Sequence, residues 1–383
     1  MSETKLVPKL RFGEFSDEWE STQLGDVLKI NYGKDYKHLE EGNIPVLGTG
    51  GVMTHVNDFL YDKPSVLIGR KGTIDKPMYI DSPFWTVDTL FYTDIFGANP
   101  KFLYYLFSTI NWLKYNEASG VPSLSASNIK KIKSYLPSIK EQLKISVFLS
   151  KIDSKIELLN QKLDQTQEFK KYLMQNIFSQ KLRFAGFDDE WDIDRIGNYC
   201  EVYGRIGFRG YTVDDLVSEG EGALTIGGKH ISPDYRLDLS NPEYLSWEKY
   251  DESPEIKVFN NDVLLVKTAS VGKVCIIEDL KEAATINPQI VVFKNIKINN
   301  KFFYYYLISE PFQKDLHRIK TTTGIPTITQ KELMNLNMLI PSIEEQNAIV
   351  GFLSKVDKKI DYIKIELEQT QEFKKGLLQQ MFV

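Results

Sequence analysis

The sequence predicts a mixed α and β chain: two α/β globular domains separated by two long antiparallel helices that form a coiled coil, pseudo-two-fold symmetric as a whole. Three features of its 383 residues lead there. A long helical segment is written twice, a short motif opens each copy, and between these anchors apolar strands and turns recur in the same order.

Leu136 to Phe178 returns as Ile340 to Phe382 without a gap, at a constant offset of 204, and the run QTQEFKK at Gln165 to Lys171 is unchanged at Gln369 to Lys375. Lys9-Leu10-Arg11-Phe12 with Trp19 returns as Lys181-Leu182-Arg183-Phe184 with Trp191, at an offset of 172. The growth from 172 to 204 gives the second globular segment roughly thirty more residues, expected in loops, where insertions are best tolerated. The anchors place a first globular domain at 1–136, a repeat helix at 137–180, a second globular domain at 181–340 and a second repeat helix at 341–383. Inside the globular segments, Val66 to Lys76 aligns with Val263 to Lys273, each an apolar strand and then a turn bearing hydroxyl and basic groups. Lys101 to Tyr105 matches Lys301 to Tyr305, both read as short helices, and Gly120-Val121-Pro122-Ser123 matches Gly324-Ile325-Pro326-Thr327.

Each repeat helix opens on Pro-Ser-Ile and then a glutamate, so Ser138 with Glu141, and Ser342 with Glu345, fit a reciprocal capping box. Ile145, Leu149, Ile152, Ile156, Leu159 and Leu163 then follow steps of four and three, as do Ile349, Leu353, Val356, Ile360, Ile363 and Leu367. This is the spacing of a coiled-coil seam, and about 40 residues at 1.5 Å each make a rod about 60 Å long. Two seams in one chain are expected to pair about a pseudo-dyad, antiparallel. The alternative is that each helix packs on its own globular segment. Farther along, Thr166 with Lys170, and Thr370 with Lys374, put polar residues into both seams. They either set register or mark where the seam opens toward solvent or a partner.

Net charge is −5 with a pI near 5.6, which argues against a broad basic face that grips DNA alone. Basic groups local to a few loops, or a clamp completed by partner subunits, meet that objection. No apolar run reaches the roughly 18 residues of a membrane span, and the first residues lack the plan of a signal peptide, so no membrane partner and a cytoplasmic location are expected. Cys200 and Cys275 read as core residues, and His38, His55, His230 and His317 as surface or loop groups without metal-ligand spacing. An amino-methyltransferase needs a glycine-rich cofactor turn and an acidic residue or asparagine before Pro-Pro-aromatic; Asn287-Pro288-Gln289-Ile290 and Ser82-Pro83-Phe84-Trp85 do not fit. Asp234 with Glu255 and Lys257 mimics a metal-nuclease pattern, loosely and without a counterpart in the first cassette. The chain is therefore expected to be non-catalytic, with no metal and no cofactor of its own.

Two variable segments alternate with two near-identical helices; Pro-Ser-Ile-x-Glu-Gln starts each helix, Gly-Val/Ile-Pro precedes it, and Leu-Arg-Phe lies near each cassette start. Together these resemble the specificity subunit of a type I restriction-modification enzyme, over essentially the whole chain. The resemblance implies that each globular segment is a target-recognition domain reading one half of an asymmetric bipartite site in double-stranded DNA. It also implies helices that set the gap and dock two methyltransferase subunits, with restriction and translocase subunits in the wider complex. Adenosylmethionine, ATP and Mg are then cofactors of those partners. A structural coiled-coil adaptor with two protein-binding domains is the alternative.

Base readout needs donors and acceptors on loops. In the first segment these are Tyr32, Lys34, Tyr36, Arg70, Lys71, Thr73, Lys76, Ser119 and Ser123. In the second they are Tyr203, Arg205, Arg209, Tyr211, Lys229, His230, Lys267, Ser270, Lys273, Thr322 and Thr323. For each, a plain solvated surface group is the competing explanation. Tyr104, Tyr105 and Tyr304 to Tyr306, at helical spacing, read as core.

Overall fold

The computed structural model describes residues 6–205, 207, 210–320 and 324–383. The chain divides into two compact units, Met1–Lys162 with Ile363–Val383, and Leu163–Tyr362.

In the first unit the apolar run around Val66 is the strand Ser65–Gly69, buried at every position, which is why Val66, Leu67 and Ile68 do not alternate with polar residues; the buried Ser65 hydroxyl donates to Thr93 O at 2.8 Å. It lies between Leu90–Ile95 and Met78–Ile80, both antiparallel, and Leu28–Tyr32 completes a four-stranded sheet. Helix Pro100–Thr109 begins where the Asn99 side chain accepts the Phe102 N–H at 2.9 Å, and it buries Phe102, Leu103, Tyr105, Leu106 and Phe107. Gly51–Val56, Glu41–Gly48 and Trp85–Thr86 form a second, three-stranded sheet.

The second unit repeats the frame. Glu201–Gly204, Ile290–Lys294, Val263–Val266 and Val274–Ile276 form the matching four-stranded sheet, and Asn299 caps helix Asn300–Leu307. Most of the added length lies between Gly204 and Val263, and here the expectation of a loop insertion is corrected. Leu216–Val217, Tyr244–Ser246, Gly222–Ile226, Ala284–Ile286 and Lys257–Val258 make a five-stranded sheet where the first unit has three strands. Gly222–Ile226 with Ala284–Ile286 is the counterpart of the parallel pair Glu41–Gly48 with Trp85–Thr86, so the added strands are Leu216–Val217 and Lys257–Val258. Ile231, Ile256 and Val258 of the same stretch are buried, so the insertion carries core of its own. Cys200 and Cys275 are buried as expected, and burial pushes both thiols up to about 12.

The repeat helices are Ile139–Phe178 and Ile343–Met381. Within the first unit, Ile145 and Leu149 of the first helix share a core with Leu377 and Met381 of the second, and Lys155 meets Glu366 at 2.9 Å, so the two run antiparallel. Within the second unit, Ile349, Leu353, Val356 and Ile360 share a core with Leu163, Leu173 and Ile177. Ile145, Leu149, Leu159, Ile349, Leu353, Val356, Ile360 and Ile363 are buried, and Ile152, Ile156, Leu163 and Leu367 half-buried. Both expectations for the seams hold at once, because the same cores also contain Trp19, Phe102 and Tyr105 in one unit and Trp191, Phe302 and Tyr305 in the other.

The polar positions do not open the seam. Thr166 and Thr370 are buried. Lys170 reaches Asp357 at 2.7 Å across the ring of Tyr305, and Lys374 reaches Asp153 at 2.5 Å across the ring of Tyr105. Each tyrosine hydroxyl donates to the other oxygen of its aspartate at 2.6 Å. A lysine, an aspartate and a tyrosine thus close one layer in each unit, the lysine coming from the opposite helix.

The helix starts differ from a reciprocal capping box. Ser138 and Ser342 do accept the Glu141 and Glu345 N–H groups, at 3.4 and 3.3 Å, but the glutamate side chains do not reach back. Glu141 instead takes both arms of Arg11, each at 2.7 Å, and Glu345 takes Arg183 at 3.1 and 2.8 Å together with the Trp191 indole N–H at 2.9 Å. A bidentate guanidinium is a stronger partner than one backbone N–H, so it wins the carboxylate. The next residue has its own task. Gln142 donates to Pro137 O and accepts from Asn99 N–H at 2.8 Å each, and Gln346 does the same with Pro341 and Asn299. Leu-Arg-Phe and Glu-Gln are therefore the two sides of one joint, made once in each unit.

Candidate nucleic-acid interface

In each unit the Gly-Val/Ile-Pro segment clips onto the turn that follows the buried strand. In the first unit, Gly72 N–H donates to Pro122 O and Leu124 N–H to Arg70 O, both at 2.9 Å, and Lys71 faces Ser123 as an isolated antiparallel bridge. Arg70 N–H is held in turn by Thr89 O at 2.8 Å. The second unit repeats every bond: Ala269 to Pro326, Ile328 to Lys267, Lys267 to Gln289, with Thr268 facing Thr327. Gly72 and Ala269 occupy the same place at φ of +89° and +68°, a conformation that costs an alanine about 1 kcal/mol and is imposed by the clip.

The clip joins two clusters that are separate in sequence. A third segment reaches the same edge in the first unit, where Lys34 N–H donates to Thr86 O at 2.8 Å. Gly33 allows it, since a Cβ there would lie 2.0 Å from Val87 O. The Arg70 guanidinium lies over the Tyr32 ring at 5.3 Å and donates to Asp88 O at 3.1 Å. Tyr32, Lys34, Arg70, Lys71, Thr73 and Ser123 are thereby brought to one edge, with Lys76 on the same turn and Ser119 on the clipping loop. Of these Tyr32, Lys34, Lys71, Lys76 and Ser119 are exposed, and Arg70, Thr73 and Ser123 half-buried. In the second unit Ser270 and Lys229 are exposed and Lys267 is half-buried. Burial lowers the Lys267 pKa from its ordinary value, a cost that an anionic partner would relieve.

Tyr36, Arg205, Tyr211, Lys273 and Tyr203 have work inside the fold instead. Tyr36 packs against Val46, Val56 and Trp85. Arg205 is only 4% exposed, donating to Ile286 O and Thr285 Oγ1 at 3.2 Å each, with the half-buried Tyr211 against its guanidinium. Lys273 donates to Ile231 O at 2.9 Å. The half-buried Tyr203 donates its hydroxyl to Glu201 at 2.8 Å. Lys229, though exposed, pairs with Glu243 at 2.7 Å. Arg209, Thr322 and Thr323 lie outside the described residues.

His230 corrects the reading of all four histidines as surface groups; His38, His55 and His317 are exposed, but His230 is 2% exposed. Its Nδ1 accepts Gly227 N–H at 2.9 Å and its Nε2 faces Asn241 O at 3.1 Å, an arrangement that suits the neutral ring with its proton on Nε2. Burial holds its pKa below the ordinary 6.5. The unfolded chain therefore takes up a proton before the folded one, so stability that is full above 6.5 is lost as pH falls from there through the lower folded-state pKa. Thermal melting should show the second unit weakening progressively as pH falls below 6.5 toward the depressed folded-state value, and His230→Gln should flatten that dependence.

The profile of the family described as "Type I restriction modification DNA specificity domain" matches residues 16–168 and 238–371. The chain belongs to this family. The MjaVIII type I restriction enzyme specificity subunit of Methanocaldococcus jannaschii is 22% identical, covering 94% of this chain and 91% of the relative. The EcoDI specificity subunit of Escherichia coli is 21% identical, over 88% and 81%. Among solved structures, the S subunit of the type I restriction-modification system from M. genitalium superposes with a TM-score of 0.66 at 15% identity, over 98% of this chain and 99% of that one, a likeness of fold.

As a type I specificity subunit the chain is a non-catalytic component of its complex. Two residues of the nuclease-like pattern have partners within the second unit. Lys257 pairs with Asp251 at 2.6 Å and lies over the Tyr250 ring, while Asp234 accepts from Ser232 at 2.6 Å. Among the described residues no group of three or more His, Cys, Asp or Glu is arranged to hold a metal ion, and no helix is long and apolar enough to cross a membrane.

Proposed function

We propose that each unit of this specificity subunit reads one half of an asymmetric, two-part site in double-stranded DNA through its clipped edge. The observation that carries the reading is the clip itself: one backbone frame built twice, presenting Arg70, Lys71, Thr73 and Ser123 in one unit and Lys267, Thr268, Ser270 and Thr327 in the other. Equal frames with unequal side chains suit two unlike half-sites. The repeat helices set the unread gap and dock two methyltransferase subunits, and restriction and translocase subunits complete the assembly. Exposed Phe169 and Phe373, at the same place in the unchanged run, with Leu158 and Tyr362, support that docking role. Adenosylmethionine, ATP and Mg belong to those partners. An overall charge of −5 fits a reader whose clamp on the phosphates is completed by other subunits.

The test is methylation. The purified chain should bind DNA weakly, and adding its methyltransferase partner should yield adenosylmethionine-dependent methylation at one asymmetric, interrupted sequence, read out by methylome sequencing. Methylation spread evenly over all sequences, or stable protein complexes that never engage DNA, would favour the adaptor alternative.

A further inference from the structure

We infer that Val121 and Ile325 are apolar base-contact residues, each meeting the 5-methyl group of a thymine in its own half-site; the inference rests on the DNA-reading function proposed above. Val121 is 66% exposed and Ile325 69%. Single exposed apolar residues need no explanation. These two stand out because they are the same position of the Gly-Val/Ile-Pro motif in both copies, exposed in each, at the tip of the clip between a glycine and a proline.

The clip makes the tip rigid. The carbonyls of Pro122 and Pro326 are hydrogen-bonded, the proline rings fix the backbone beside them, and a β-branched side chain is stiff about χ1. In the first unit Asn116 adds a further tie, its Oδ1 accepting Ser123 N–H at 2.9 Å. Methyl groups are thus presented to solvent at fixed positions, with little freedom left to lose on contact. The residues joined by the clip are cationic or hydroxyl-bearing, Arg70, Lys71 and Ser123 in one unit and Lys267, Thr268 and Thr327 in the other. An exposed apolar tip on a loop clipped to a basic turn suits the major groove, where phosphates border base edges and the thymine methyl is the apolar group.

The experiment uses this chain in complex with its methyltransferase partner, on duplexes bearing the site found by methylome sequencing. Each thymine of the half-sites is replaced in turn by deoxyuridine, which lacks only the methyl group. One thymine in each half-site should lower kcat/KM about fourfold when replaced. Val121→Ala should abolish that sensitivity in one half-site and Ile325→Ala in the other. Val121→Thr, which keeps the shape and one methyl, should fall between and serves if an alanine variant melts early. Equal rates with thymine and deoxyuridine throughout, a half-site with no A·T pair, or sensitivity that survives the alanine variants overturns the inference. Absence of any site-specific methylation by the unaltered complex overturns the DNA-reading function instead, so the two failures are distinguishable.

Discussion

Arg11→Ala is expected to destabilise the first unit by about 3–5 kcal/mol, the range for removing one partner of a buried ion pair. The partner left behind is Glu141, whose side chain is 1% exposed and whose two oxygens are both occupied by Arg11. Stranding that carboxylate costs more than the pair contributes, because desolvation of the charge is no longer offset. Glu141→Ala should cost less, since the guanidinium keeps its bond to Asp17 O at 2.6 Å and remains 13% exposed to water. Removing both, as Arg11→Leu with Glu141→Leu, should recover much of the loss, and the double-mutant cycle then gives the coupling directly. Denaturant unfolding reads the magnitude, and hydrogen exchange at the start of the first repeat helix and in helix Pro100–Thr109 reads the location. Single variants that unfold within about 0.5 kcal/mol of the parent would show that the joint is not a source of stability. The Arg183 and Glu345 joint should respond in the same direction, with the Trp191 indole N–H as an additional group left unpaired when Glu345 is truncated.

That joint also shows where sequence reading stops. Serine followed three residues later by glutamate is a local pattern, and locally it reads as a capping box; the competing Arg11 is 130 residues away. The clue was present in the duplication, since Leu-Arg-Phe and Glu-Gln both occur in each copy, but pairing them needs the fold. The same limit explains Arg205 and Lys273. Both sit in glycine-containing turns that resemble ligand loops, yet their partners are carbonyls 81 and 42 residues away. His230 is taken inward in the same manner, by the backbone of Gly227 and Asn241. By contrast the seams, the buried strands at Val66 and Val263 and the tyrosines of the short helices were legible, because periodicity and apolar runs report burial without naming a partner. The clip lies between these cases. Its two halves were both visible as candidate clusters, and the Val66 to Lys76 and Val263 to Lys273 alignment placed Gly72 opposite Ala269, but only the backbone bonds join them.

If the repeat helices act as the ruler, inserting seven residues after Leu159 and seven after Ile363 should lengthen the unread gap and leave both half-sites unchanged. Seven residues preserve the seam, because the apolar pattern repeats every heptad. Leu159 and Ile363 each lie within about one helical turn of the Lys155–Glu366 contact, and the lysine and aspartate layers at Lys374 with Asp153 and Lys170 with Asp357 stay intact. At 1.5 Å per residue the helices grow by about 10 Å, or about three base pairs of duplex. Methylation at the original spacing should fall at least about a hundredfold, since only one half-site can then be engaged. Among duplexes with gaps lengthened stepwise by up to five base pairs, the optimum should move toward three. The new optimum should be weaker than the old one, because three base pairs also turn the second half-site by roughly 100° around the duplex and the DNA must twist to present it. Insertion of seven residues in one helix alone breaks the pairing of the seams and should abolish activity at every gap. An optimum that stays at the original gap despite paired, folded helices would remove the ruler role while leaving base reading by the clipped edges untouched.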